Sequence, residues 1–323
     1  MVVNANRWFT ALAVVIFACQ GSVLAEQEAG PIGAPYSAEQ VAENVYVIHG
    51  PVGFPNSVNQ GFMNNPVFVV TTNGVVVIDP GSSVQSGRMV LGEIEKITDQ
   101  PVVGVFATHI HGDHWLGNQA IREKYPDAML MAHPNLIAEA ESGRAQFWVD
   151  LMDQLTEGAT RGTVAVIPDT PVDDGQVMEF GESSVTVIHK GKAHTNTDIV
   201  VWIQPANVMV TGDLVFNNRV GLMDDGSFTG LVEFLTELEG MNPQTVVPGH
   251  GAMGDISLIT NSRRFHGIIY DTVETLYEDG MPDFEMKPRV QEALIEFADW
   301  DGFEDGIGRL ISLSYLEVEE NNF

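Results

Sequence analysis

The chain has 323 residues, 44% of them hydrophobic and 18% charged, with 44 Asp and Glu against 15 Lys and Arg for a formal net charge of −29. Apolar content at this level, with five Trp, excludes a disordered acidic chain, and the length suits one large domain or two small ones. A charge of −29 with no cluster of Lys and Arg excludes nucleic acid as a partner, because phosphate backbones would be repelled.

In chain order, the first segment reads as an address. Arg7 precedes an apolar run over residues 8–19, too short to span a bilayer, and a small-residue site ends at Val23-Leu24-Ala25. Residues 1–25 are expected to be a secretory signal peptide, which makes the protein periplasmic or secreted. The sole cysteine, Cys19, lies within Ile16-Phe17-Ala18-Cys19, loosely similar to a lipoprotein box, so a lipid anchor at Cys19 is the alternative to cleavage after Ala25. Under either reading the folded part has no thiolate and no disulfide, and any metal site is built from His and carboxylates.

Short β-branched runs bounded by Gly, Pro and Asn predict strands over residues 45–49, 66–71 and 74–79. Helical spacing of Met89, Leu91, Ile94 and Ile97 predicts a helix over 87–98, followed by a buried strand over 102–107. Residues 118–125 read as helix, 128–132 as strand, 134–156 as one long helical stretch and 157–175 as loop. Strands are expected at 185–189, 199–203, 208–211 and 245–247, with a helix at 231–240 that puts Leu231, Phe234, Leu235 and Leu238 on one face. Strands and helices interleave in two blocks, which argues for a layered α/β domain. The tail is helical over 257–278, breaks at Gly280-Met281-Pro282 and stays apolar beyond, so it is expected to pack on the main body.

The chemistry sits in Thr108-His109-Ile110-His111-Gly112-Asp113-His114, at the end of the strand over 102–107. Three of the nine histidines and an Asp fall within six residues, and no rule of local structure asks for such a cluster. Neutral imidazoles and ionised carboxylates are the ligands of divalent Zn, Fe or Mn. Four candidates in one short loop suggest two metals. His194, Asp213 and His250 each follow another predicted strand, where α/β proteins place their working residues.

These four segments, 109–114, 193–198, 211–216 and 248–251, resemble the metallo-β-lactamase superfamily in order and approximate spacing, over about residues 41–254. The resemblance implies an αββα sandwich over residues 26–256, with residues 257–323 a short C-terminal helical extension packed on it. It also implies a dinuclear site along one edge of the two sheets. His109, His111 and His194 would bind one metal, Asp113, His114 and His250 the other, and Asp213 would bridge them. Two zinc ions are expected, with Fe or Mn as alternatives. The best-known class B β-lactamases carry Cys near the position of Asp213, and another type lacks the bridging carboxylate. Asp213 is therefore more similar to the branches with glyoxalase II, lactonases and exported hydrolases associated with quinoprotein relay systems, and residues 78–81 and 117–128 are most similar to the last group.

Two Zn²⁺ about 3.5–4 Å apart share a water whose pKa falls from about 15.7 towards about 7, and the bridging hydroxide is the expected nucleophile. One metal polarises the carbonyl and the other stabilises the departing anion, while Asp113 orients the nucleophile and moves the proton. The expected function is exported hydrolysis of a small ester-like or amide-like substrate, a β-lactam, lactone or thioester. The alternatives are a mononuclear iron persulfide dioxygenase of the same fold and a non-catalytic periplasmic binding protein. Glyoxalase II is disfavoured because Lys287, Arg289 and Arg309 are the only positive charges after residue 280. Asp79 either fixes a metal-bound imidazole or merely ends its strand. His133 and His189 read as structural, and His49 and His266 carry no motif. Phe54, Phe62, Trp115 and Phe216 are candidates for the substrate mouth, and residues 53–65 and 157–173 are the loops that would close over it.

Overall fold

Valine-rich runs form the strands of two stacked sheets, because β-branched side chains suit a pleated surface buried on both faces. The computed structural model describes residues 27–322, so the expected signal peptide and Cys19 lie outside the described residues. In the first sheet β1 (Ala38–Ala42), β2 (Val45–Ile48), β3 (Val67–Thr71) and β4 (Gly74–Ile78) run antiparallel. They are followed in parallel by β5 (Val102–Phe106), β6 (Met129–Ala132) and β7 (Thr170–Pro171). The parallel neighbours need crossovers, which carry α1 (Val84–Glu95), then α2 (Gly112–Trp115) and α3 (Asn118–Lys124), then α4 (Pro134–Glu139) and α5 (Ala145–Leu155). In the second sheet β8 (Val177–Phe180), β9 (Ser183–Ile188), β10 (Val200–Gln204) and β11 (Val208–Gly212) are antiparallel. After α6 (Phe228–Gly240), β12 (Thr245–Pro248) joins parallel to β11. Three helices complete the described chain: α7 (Ser257–Glu278), α8 (Asp283–Ala293) and α9 (Phe303–Asn321).

The period of two along each strand sorts the layers. On β4, Val76 and Ile78 join Phe106, Val187, Val201 and Val210 in the core between the sheets. Val75 and Val77 face the other way, against Val90, Leu91 and Ile94 of α1. On β11, Val208 and Val210 point into the middle while Met209 packs with Phe234, Phe265 and Ile311 of α6, α7 and α9. Helices therefore cover the outer face of each sheet, which is the expected αββα sandwich. No helix among the described residues is long and apolar enough to cross a membrane.

Several elements differ from the pattern reading. The helix expected over 87–98 begins earlier, at Val84, because Ser83 caps it in a reciprocal bond with Ser86. The long helix expected over 134–156 is interrupted by a wide turn, Ala140–Arg144, in which Gly143 sits at φ 113. That angle belongs to glycine, and it redirects α5. The edge strands β1 and β8 escaped the reading because β1 is short and polar in its middle and β8 is only four residues long and interrupted by Glu179.

Buried His266 on α7 gives the fold an acid-sensitive point. Its ring is enclosed by Phe216, Phe228 and Phe265, and Nδ1 lies 2.8 Å from the Ser262 carbonyl oxygen. Burial pushes its pKa down to about 4, whereas an imidazole in the unfolded chain titrates near about 6.5. As pH falls the unfolded state takes up the proton first, so this stability is full above the unfolded pKa and declines down to the folded one. The expected loss is on the order of 3 kcal/mol. His266→Phe should flatten that part of the profile, and denaturation midpoints measured from pH 7 to 4 that decline equally in both proteins would refute it.

Candidate metal centre

Every predicted ligand stands at a strand end on the same edge of the sandwich. From the first sheet, the segment after β5 carries His109 and His111, and α2 carries Asp113 and His114. From the second, His194 lies between β9 and β10, Asp213 directly follows β11 and His250 follows β12. The structure brings all seven together in two groups, His109, His111, His194 and Asp213, and Asp113, His114 and His250, the ligand atoms of each lying within 4.8 Å of one another. His194 Nε2 is 3.1 Å from His111 Nδ1, and His114 Nε2 is 3.3 Å from His250 Nε2. Asp113 Oδ2 lies 3.1 Å from His250 Nε2. Asp213 reaches both groups, with Oδ1 3.4 Å from His114 Nε2 and Oδ2 3.8 Å from His194 Nε2.

Outer contacts aim these rings inwards. Asp79 accepts from the Thr108 backbone N–H at 2.8 Å and from Thr108 Oγ1 at 2.7 Å, and its Oδ2 is 2.7 Å from His114 Nδ1. Asp79 thus fixes an imidazole as well as ending its strand. His250 Nδ1 lies 2.9 Å from the Met63 carbonyl oxygen, and Asn65 ties the same loop down by donating to the carbonyls of Pro248 and Gly251. Thr197 Oγ1 accepts from the Ile110 backbone N–H, linking the His194 loop to the His109 loop. Gly249 permits the crowding, since a Cβ there would stand 2.1 Å from Asp213 Oδ1.

The donor set fits divalent metal. His109 Nε2 is buried without a hydrogen-bond partner, and imidazole nitrogens converging at these distances can share a cation. Burial, reinforced by the neighbouring imidazoles, holds His109 well below the usual range and brings His194 down to about 3. The neutral ring is the form that binds metal. Around His250 burial acts downwards, but the Asp213 and Asp113 carboxylates outweigh it and raise the ring to about 9. His114 is raised in the same way by Asp113 and Asp79 against its burial. For Asp113 and Asp213 burial acts upwards, and the imidazoles of His114 and His250 override it to hold both well below the usual carboxylate range.

A cavity of about 460 Å³ opens onto the cluster and is lined by His111, Asp113, His194, Asp213 and His250. Phe54 and Phe216 line it as expected. Phe62 and Trp115 do not: both are fully buried, Phe62 against Tyr36 and Trp115 with Nε1 donating to the Ile110 carbonyl. Residues 53–65 contribute Phe54, Pro55 and Met63 to the wall, whereas none of 157–173 reaches it. His133 and His189 stack on each other at 3.7 Å and join neither ligand group. Pattern reading missed Asp225, whose Oδ2 is 3.4 Å from His111 Nε2 and accepts from Arg144 Nη2 at 2.7 Å. An ordinary acidic residue at this sequence separation gives no local signal.

Residues 59–250 match the family model of the metallo-beta-lactamase superfamily. The chain belongs to the metallo-beta-lactamase superfamily. Among curated relatives it is 24% identical over 248 residues to a metallo-beta-lactamase type 2 of Bacillus sp. (strain 170), covering 74% of this chain and 84% of that one. It is 25% identical over 203 residues to an atrochrysone carboxyl ACP thioesterase of Emericella nidulans, covering 63% of this chain and 54% of that one. Among solved structures, a metallo-beta-lactamase from Pontibacter korlensis superposes with a TM-score of 0.59 at 19% identity, over 72% of this chain and 99% of that one. Superfamily membership makes the protein a metal-dependent hydrolase, as expected.

Proposed function

We propose that the protein is an exported dinuclear zinc hydrolase acting on a small ester-like or amide-like carbonyl, a β-lactam, lactone or thioester. The observation that carries the reading is the convergence of the two ligand groups on one cavity, with the Asp213 carboxylate reaching both. In this reading His109, His111 and His194 would hold one ion and Asp113, His114 and His250 the other, with Asp213 within reach of both. Bound there, a pair of zinc ions supplies Lewis acidity that makes water nucleophilic at neutral pH and polarises a carbonyl. Asp113, kept ionised by His114 and His250, takes the proton of the attacking water at its carboxylate and passes it to the leaving group. Trp148, packed over His111 at 4.9 Å, screens one side of the cluster from solvent. Export rests on the signal-like residues 1–25.

Metal removal tests this directly. The purified protein is expected to hold two zinc ions per chain and to hydrolyse one of these substrate classes, to lose turnover on chelation and to regain it with zinc. One iron per chain, with oxygen consumption and no hydrolysis, would overturn the proposal in favour of the dioxygenase.

A further inference from the structure

Four large apolar side chains remain exposed around a single opening: Phe54 at 64%, Phe147 at 47%, Leu155 at 42% and Leu222 at 48%. All four line the cavity that reaches Asp113 and Asp213, and Leu151 of α5 extends the same wall. Scattered exposed apolar residues are ordinary, but a ring of them around a cavity this size is surface that an apolar ligand would cover.

The opening carries charges of both signs. Three of the chain's 15 basic residues, Arg144, Arg219 and Arg309, line it beside Asp113, Asp213, Asp224 and Asp225, and Arg219 and Arg309 also border a neighbouring cavity that holds Asp301 and Asp305. Arg144 is neutralised by Asp225 at 2.7 Å, and Arg309 by Asp224, which accepts from Nε at 2.7 Å. Arg219 has no ion-pair partner among the described residues, and its Nη1 is buried without a hydrogen bond. Its backbone is held in place, since Arg219 bridges to Asp301 and the next residue, Val220, donates to the Asp301 carbonyl at 2.9 Å. A guanidinium partly withdrawn from water and left unpaired is costly until an anion completes it, and its planar fork suits a carboxylate.

We infer that the site takes an amphipathic acyl substrate, an ester or thioester whose alkyl chain lies against the rim of Phe54, Phe147, Leu155 and Leu222 and whose single carboxylate sits on Arg219. This rests on the hydrolase reading above. The apolar rim gains from the chain, the unpaired cation gains from one carboxylate, and the charge of the whole molecule disfavours a polyanion.

Two measurements separate this inference from the reading beneath it. The first is binding of octanoate to the metal-loaded protein, followed by calorimetry, with octanol and with acetate, which shares the metal-binding carboxylate, as comparisons. Octanoate is expected to bind at least about tenfold more tightly than either. Arg219→Gln and Phe147→Ala should each weaken octanoate binding by about tenfold. Phe147 is half exposed, so its truncation leaves the core intact. Octanoate binding that is absent, or indifferent to Arg219→Gln, would overturn the inference. The second is turnover by the metal-loaded protein of the 4-nitrophenyl half-ester of suberic acid against neutral 4-nitrophenyl octanoate. Arg219→Gln should raise KM for the half-ester more than for the neutral ester, with metal content unchanged, and equal changes would again overturn the inference. Arg219-dependent octanoate binding with no hydrolysis of either ester would uphold the subsite and refute the hydrolase reading instead.

Discussion

Asp213→Asn is expected to lower kcat/KM by at least about 10²-fold, the scale of losing one preorganised charge contact at a reacting centre. The side chain keeps its size, but the amide carries no charge and offers one acceptor oxygen where the carboxylate offers two. Asp213 is the residue within reach of both groups, lying 3.4 Å from His114 and from His250 and 3.8 Å from His194. Its loss should therefore weaken metal retention on both sides, which the metal content per chain after dialysis would register alongside turnover. Full metal content with wild-type turnover in the variant would show that the carboxylate does not hold the cluster together.

Asp79→Ala should have the next largest effect, and through a residue that touches no proposed substrate. Its carboxylate accepts from the Thr108 backbone N–H and hydroxyl and meets His114 Nδ1 at 2.7 Å, all of them buried. Truncation leaves buried donors unpaired, at about 1–3 kcal/mol each. It also frees the His114 ring to turn, and losing such an orienting carboxylate typically costs about 10–100-fold in metal affinity. Asp79→Asn separates the two effects. Its side-chain oxygen still accepts from Thr108, so denaturation midpoints should recover much of the stability, while its amide nitrogen cannot accept from His114 and zinc affinity should stay low. Equal zinc affinity in the wild type and both variants would refute the orienting role.

The parts of this architecture legible in the sequence were those written locally. Imidazoles and carboxylates spaced over residues 109–114 announce metal chemistry wherever they fold, and the apolar strands that end at Phe106, Gly212 and Pro248 announce where it sits. The buried strands were readable because both faces are apolar. β1 and β8 were not, since each is a short edge strand whose sequence is broken by acidic residues, Glu39 in one and Glu179 in the other. The wide turn at Gly143 was hidden because the flanking residues keep helical spacing. Contacts made across the fold were the least visible. Asp79 on His114, Asn65 on the His250 loop, Asp225 on His111 and the cavity wall supplied by α5 all depend on how the two sheets stack, which no short segment encodes. The aromatics show the same limit: Phe54 and Trp115 look alike in sequence, yet one rims the opening and the other fills the core.

The proposed ligands come from both halves of the sandwich, and the chain holds no cysteine after residue 19. An ion shared between His109 and His194, or between His114 and His250, would staple segments far apart in sequence, in the way a disulfide closes a long loop in an exported protein. Binding strength in the folded state becomes resistance to opening, because the unfolded chain has no such arrangement to offer the ion. Zinc supply would then govern how long the molecule survives proteases as well as how fast it turns over.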